Sequence, residues 1–149
     1  MRIHHSLIIE RPCAEVFAFV TDLRNETRWQ PEILEVRVDG PLAVDQTFHE
    51  TRVSFGLRFD WRFRITDFAP PHRIEIETIS GRAPYRGARV FEDLGPRTRV
   101  SEIGELELPW PLRAFDPWLE RLAIHPVREA YARLRGLLED ASSSAPTSC

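Results

Sequence analysis

The sequence predicts an α+β fold: a seven-stranded antiparallel sheet, two short helices after the first strand, and one long helix at the C-terminal end. Three observations predict it. Apolar residues take helical spacing directly after a strand, at Val16, Phe17 and Val20. From Ile33 to Leu108 the pattern changes to period two and stays there. Near Phe115 the helical period returns and lasts until Glu139.

The first strand, about Arg2 to Glu10, puts Ile3, His5, Leu7 and Ile9 on one face. Pro12 then opens a helix that ends near Thr21, since the amide proline lacks is unpaired in a first turn anyway. Asp22 is placed to cap a second short helix through Arg28, and Trp29-Gln30-Pro31 ends it. Strand two covers about Ile33 to Asp39 and closes at Gly40-Pro41, and strand three runs from about Gln46 to Phe55. Strand four, Leu57 to Phe68, alternates most cleanly. Leu57, Phe59, Trp61, Phe63 and Ile65 face one way, and Arg58, Asp60, Arg62 and Arg64 the other, so one side is buried and the other wet. Pro70-Pro71 leads into strand five, about His72 to Ser80. Strands six and seven follow over Tyr85 to Leu94 and Thr98 to Leu108, and the short connections make an antiparallel meander. Asp116-Pro117 starts the last helix, with a kink or break expected at Pro126 near His125.

A chain of 149 residues with 42% hydrophobic content buries one sizeable core and is too short for two. Residues 1–140 therefore read as one domain, and the Ser-, Ala- and Pro-rich 141–149 as a disordered tail. No apolar run has the length of a membrane span, no signal-peptide core is present, and the two cysteines, Cys13 and Cys149, are not placed for an internal disulfide. A reduced cytoplasmic protein, monomeric or weakly dimeric, is the expectation. The net charge of −3 argues against a nucleic-acid partner despite 20 basic residues. All of these are arginine, which closes off Schiff-base, pyridoxal-phosphate and phosphate-loop lysine chemistry and, with abundant Ala and Pro, suggests a GC-rich bacterial gene. Metal binding is not expected: His4 and His5 are adjacent on a strand and point to opposite faces. Glycine-rich phosphate loops and nucleophile elbows are absent, so no cofactor is expected.

Four segments carry a resemblance. They are Arg11-Pro12 with Glu15-Val16-Phe17; Asp22 followed by Trp29; Thr66-Asp67-Phe68-Ala69-Pro70-Pro71-His72-Arg73-Ile74; and Gly95-Pro96-Arg97-Thr98-Arg99-Val100. In order and spacing they resemble the START-like superfamily, the SRPBCC or helix-grip proteins, and most of all its polyketide cyclase/dehydrase-type branch. The resemblance implies a sheet wrapped around the C-terminal helix and a deep cavity between them for an apolar ligand. It leaves the activity open, because the superfamily holds enzymes, carriers and regulators alike.

Polar residues that alternation places on apolar strand faces are the candidates for such a cavity. Glu102 shares a face with Val100, Leu106 and Leu108; it is either a general acid/base in apolar surroundings, or the partner of an arginine, or a carboxylate at the wet end of the cavity. His49 and Thr51 are in phase with Val53 and Phe55, so His49 is either a second proton relay or a histidine at the solvent edge or satisfied within the core. Strand six is ambiguous: if Tyr85, Gly87, Arg89 and Phe91 face inward, Tyr85 and Arg89 join the cavity and Arg89 pairs with Glu102 or an anionic ligand group. Thr78 lies in phase with Ile74 and Ile76. Trp29 fits the rim or plain packing, Trp61 the wall or the core, and Trp110 and Trp118 an entrance; Cys13 reads as a packed residue. The function expected is binding of a small hydrophobic, oxygenated molecule by a cofactor-independent polyketide cyclase/dehydratase-type enzyme. Glu102 and His49 would be its catalytic groups; a non-catalytic carrier is the alternative.

Overall fold

The computed structural model describes residues 1–143. Strand β1 (Arg2–Ile9) leads to helix α1 (Cys13–Thr21), a 3-10 turn (Leu23–Asn25) and helix α2 (Glu26–Trp29). Six strands follow: β2 (Ile33–Val38), β3 (Thr47–Ser54), β4 (Leu57–Ala69), β5 (Arg73–Ser80), β6 (Tyr85–Asp93) and β7 (Thr98–Leu106). A second 3-10 turn (Leu112–Phe115) opens into helix α3 (Asp116–Ser143). Sheet order is β1-β7-β6-β5-β4-β3-β2, every neighbouring pair antiparallel, and the sheet curls around α3. This is the helix-grip α+β fold.

Local chemistry accounts for the short elements. Pro12 sits in extended backbone at the N-cap of α1, and Asp22 Oδ1 accepts from the Arg24 amide at 3.2 Å to cap the 3-10 turn. The buried face of α1 places Phe17 edge-on to Phe91, with ring centroids 5.1 Å apart. A register shift between Ile65 and Asp67 in the β4–β5 pairing turns Phe68 inward, where it meets Phe17. From α3, Tyr131, Leu134 and Leu138 complete the core.

Helix α3 runs through one expected breakpoint and past one expected boundary. Pro126 does not break it: the helix is continuous, with Pro126 inside it, because packing along the sheet outweighs one missing hydrogen bond to the Leu122 carbonyl. The helix also continues to Ser143, past the boundary expected at residue 140; the greater part of the expected tail, 144–149, lies outside the described residues.

One glycine pair matters to the site. Gly87 and Gly104 face each other across β6 and β7, and the Tyr85 ring lies over both, where a Cβ at either position overlaps it. Gly104→Ala is expected to destabilise the protein by about 1–3 kcal/mol through this overpacking. Chemical denaturation should show a much smaller cost in a Tyr85→Ala background. Equal costs in both backgrounds would place the strain elsewhere.

Candidate functional site

The curled sheet and α3 enclose a cavity of about 190 Å³. Period two on β4 supplies its aromatic wall of Phe59, Trp61 and Phe63, and β5 adds Ile74 and Ile76. Small residues on α3, Ala123 and Ala130, keep the helix side open, and Pro126 and Val127 lie between them. Phe55 and Leu57, exposed at the β3–β4 turn, form part of the lining at the solvent side.

Polar groups enter this space in two linked clusters. In the first, Arg89 Nη1 donates to Glu26 Oε1 at 2.6 Å, Arg89 Nε stands 4.0 Å from Glu102 Oε2, and the guanidinium lies 5.0 Å over the Trp29 ring. The Tyr85 hydroxyl donates to Glu102 Oε1 at 3.3 Å. In the second, Arg52 Nε donates to Glu50 Oε1 at 2.6 Å, and Arg52 stacks 5.6 Å over Trp61. Gln30 joins the clusters, accepting from Arg52 and donating to Glu26. Burial, which alone favours neutral guanidines, is outweighed at Arg89 by Glu26, Tyr131 and Glu102 and at Arg52 by Glu50, so both stay charged. Burial pushes the Glu26 carboxyl up, against the pull of Arg89. It also pushes the Tyr85 and Tyr131 hydroxyls up, with Glu102 adding to it, so both remain proton donors at neutral pH.

Glu102 is the centre of a row. His5 on β1 and Arg89 on β6 are its direct cross-strand partners on either side. The His5 ring meets Tyr131 edge-on at 5.4 Å, and burial, reinforced by Arg128, holds His5 below the usual histidine range.

The structure brings together Glu102, Tyr85, Arg89 and Trp61, all lining the cavity, and so resolves strand six in favour of the inward Tyr85–Arg89 face. Arg89 pairs primarily with Glu26, however, and more distantly with Glu102. His49 and Thr51 are not in the cavity. Their register with β4 sets Phe48, Glu50 and Arg52 inward, opposite Phe63, Trp61 and Phe59, and turns His49 and Thr51 to the outer face, where the Thr51 hydroxyl donates to Asp60 Oδ1 at 2.9 Å. His49 is thereby removed from any proton relay inside. Trp29 is fully buried packing beneath Arg89 and against Tyr131 rather than rim, and Thr78 Oγ1 accepts from the Tyr85 amide at 3.0 Å, positioning that residue without lining the cavity. Trp118 lies outside the cavity lining with 60% of its surface exposed. Cys13 is buried, its thiol 3.4 Å from the Pro71 carbonyl.

Sequence reasoning missed Glu26, Glu50, Arg52 and Tyr131. Glu26 and Trp29 stand three apart on α2 and share a face, a signal that Trp29 alone did not convey. Glu50 and Arg52 have the opposite phase to the apolar Val53 and Phe55, so alternation pointed away from them. Among the described residues no group of three or more His, Cys, Asp or Glu side chains is placed to hold a metal, and no helix is long and apolar enough to cross a membrane.

The profile described as polyketide cyclase / dehydrase and lipid transport matches residues 1–139. None of the curated proteins matches the chain. A solved structure from Thermus thermophilus superposes with a TM-score of 0.82 at 18% identity, covering 97% of this chain and 100% of its own. The Zhui aromatase/cyclase from Streptomyces sp. R1128 has a TM-score of 0.74 at 16% identity, covering 99% of this chain and 96% of its own. A START superfamily protein from Mycobacterium smegmatis gives a TM-score of 0.74 at 17% identity, over 94% of this chain and 98% of its own. At these identities the likeness is one of fold.

Proposed function

Because the chain belongs to the polyketide cyclase/dehydrase and lipid transport family, we propose that it binds a small apolar, oxygenated molecule in the cavity and acts on it as a cofactor-independent cyclase or dehydratase. The observation that carries the reading is the placement of one incompletely paired carboxylate, Glu102, within reach of two other titratable groups in a cavity whose walls are mostly aromatic and aliphatic. Such chemistry needs a shaped, water-poor site and one proton-transfer group. Glu102 removes a proton from carbon beside a carbonyl, and the bonding pair moves onto the carbonyl oxygen. Tyr85 donates to that oxygen, and Arg89 supplies positive charge beside it. The enolate carbon then attacks a second carbonyl, whose oxygen takes up a proton. That proton comes from Glu102, which then removes the second proton from the attacking carbon; the C–O bond breaks as the C=C bond forms, and the hydroxide leaves with this proton as water.

A carrier is favoured instead by one observation: Arg52 and Arg89 are each already bonded to a carboxylate, which leaves less positive charge for an enolate. Ligand binding is common to both readings and is tested first. Polycyclic aromatics or sterols are expected to quench or shift tryptophan emission through Trp61 in the wall, and to raise the melting temperature. Unchanged emission and melting temperature across such a panel count against an open ligand site.

A further inference from the structure

The reading of the cavity as a ligand site leaves open which chemical group of the ligand the protein holds, and two side chains bear on it. Tyr131 projects from α3 into the cavity lining with 1% of its surface exposed, and its hydroxyl has no hydrogen-bond partner. A buried hydroxyl left unpaired is costly, and protein interiors rarely keep one. It stands beside Glu102, whose carboxylate acts on it at longer range than a regular hydrogen bond.

Glu102 is the complementary case. Its bond from Tyr85, 3.3 Å, is long for a hydroxyl donor, and its other oxygen has Arg89 Nε only at 4.0 Å, because that guanidinium is drawn to Glu26. One group therefore has a donor to give, and the other has acceptor capacity unfilled. A ligand hydroxyl meets both needs at once: its O–H donates to Glu102 while its oxygen accepts from Tyr131. A ketone brings no donor and an ammonium no acceptor. A carboxylate brings no donor and adds negative charge where Glu26, Glu32, Glu50 and Glu102 already outnumber Arg52 and Arg89.

We propose that the cavity takes a neutral, hydroxylated apolar molecule, a phenol or an alcohol on a ring system, with its hydroxyl clamped between Glu102 and Tyr131, and that it turns carboxylates away. This rests on the preceding reading of the cavity as a ligand site.

The test compares the affinities of 2-naphthol, naphthalene and 2-naphthoate for the full chain at pH 7 by titration calorimetry. 2-Naphthol is expected to bind roughly tenfold more tightly than naphthalene, the scale of one added buried hydrogen bond, and 2-naphthoate the most weakly. Tyr131→Phe keeps the ring and removes only the hydroxyl. It should weaken 2-naphthol severalfold toward naphthalene, leave naphthalene unchanged and leave the melting temperature close to the wild-type value, since that hydroxyl makes no regular hydrogen bond to the protein. Glu102→Gln should raise the affinity for 2-naphthoate. Equal binding of 2-naphthol and naphthalene, tightest binding of 2-naphthoate, or a lower melting temperature for Tyr131→Phe each overturns the clamp while leaving the cavity a ligand site. If none of the three compounds binds the wild-type chain, the ligand-site reading falls and the clamp with it.

Discussion

Arg89→Met is expected to lower stability by about 3–5 kcal/mol, because it strands the carboxyl of Glu26, which is only 3% exposed, without its cation. On melting this is a fall on the order of 10–20 °C. Pairing the change with Glu26→Leu should recover most of the loss, since a buried ion pair replaced by apolar groups of similar volume is often neutral. The loss also has a pH dependence of defined sign. Burial raises Glu26 in the folded protein above its unfolded value of 4.5, so the folded state holds more protons than the unfolded one between the two values. Stability from that group is fully present below the unfolded value and is lost as pH rises through the folded one. Arg89→Met removes the opposing pull, so denaturation should show a larger deficit at pH 8 than at pH 5. A deficit under 1 kcal/mol, or one that grows toward acid, would show that Arg89 and Glu26 are not coupled as their 2.6 Å contact requires.

Glu102→Gln is expected to retain fold and ligand affinity and to lose about a hundred- to ten-thousand-fold in turnover of a polyketide-type substrate, the scale of general acid–base catalysis. A purely structural link to Arg89 predicts a different outcome: lower stability with turnover falling only as far as folding does. The carrier reading predicts modest changes in affinity and no activity to lose. Melting temperature, affinity and turnover measured on this one variant separate the three. Full turnover at unchanged stability leaves Glu102 without a role in either reading.

The seven strands were legible because period two runs almost uninterrupted through the middle of the chain, and Gly-Pro, Pro-Pro and Asp-Pro steps mark several boundaries. Glu102 and Trp61 were legible for the same reason, as they keep the phase of apolar neighbours that face the cavity, whereas Tyr85 and Arg89 were legible only as one of two phases of strand six, between which the register with β7 decides. The same rule misled at β3. There the inward face carries Glu50 and Arg52, while Val53 and Phe55 are exposed near the turn. Alternation identifies which residues share a face; only the register with Phe59, Trp61 and Phe63 shows which face is buried. Glu26 was hidden for a different reason. A glutamate in a four-residue helix reads as solvated until Arg89, 63 residues later, is seen to reach it. Tyr131 read as one more apolar position of the α3 stripe, and its unpaired hydroxyl is a property of the packed structure alone.

The pairing of β1 with β7 has a kinetic consequence. His5 and Glu102 are direct partners though 97 residues separate them, so the row that centres the site forms only after nearly the whole intervening chain has been looped back. Closing so long a loop costs entropy before the contacts it enables can form, and topologies dominated by such distant pairings fold in milliseconds to seconds. A chain interrupted before β7 can build the β2 to β6 meander but not the row of His5, Glu102 and Arg89 that runs across β1, β7 and β6. Ligand recognition should therefore be among the last properties to appear during folding, and the one whose return reports that the first and last strands have met.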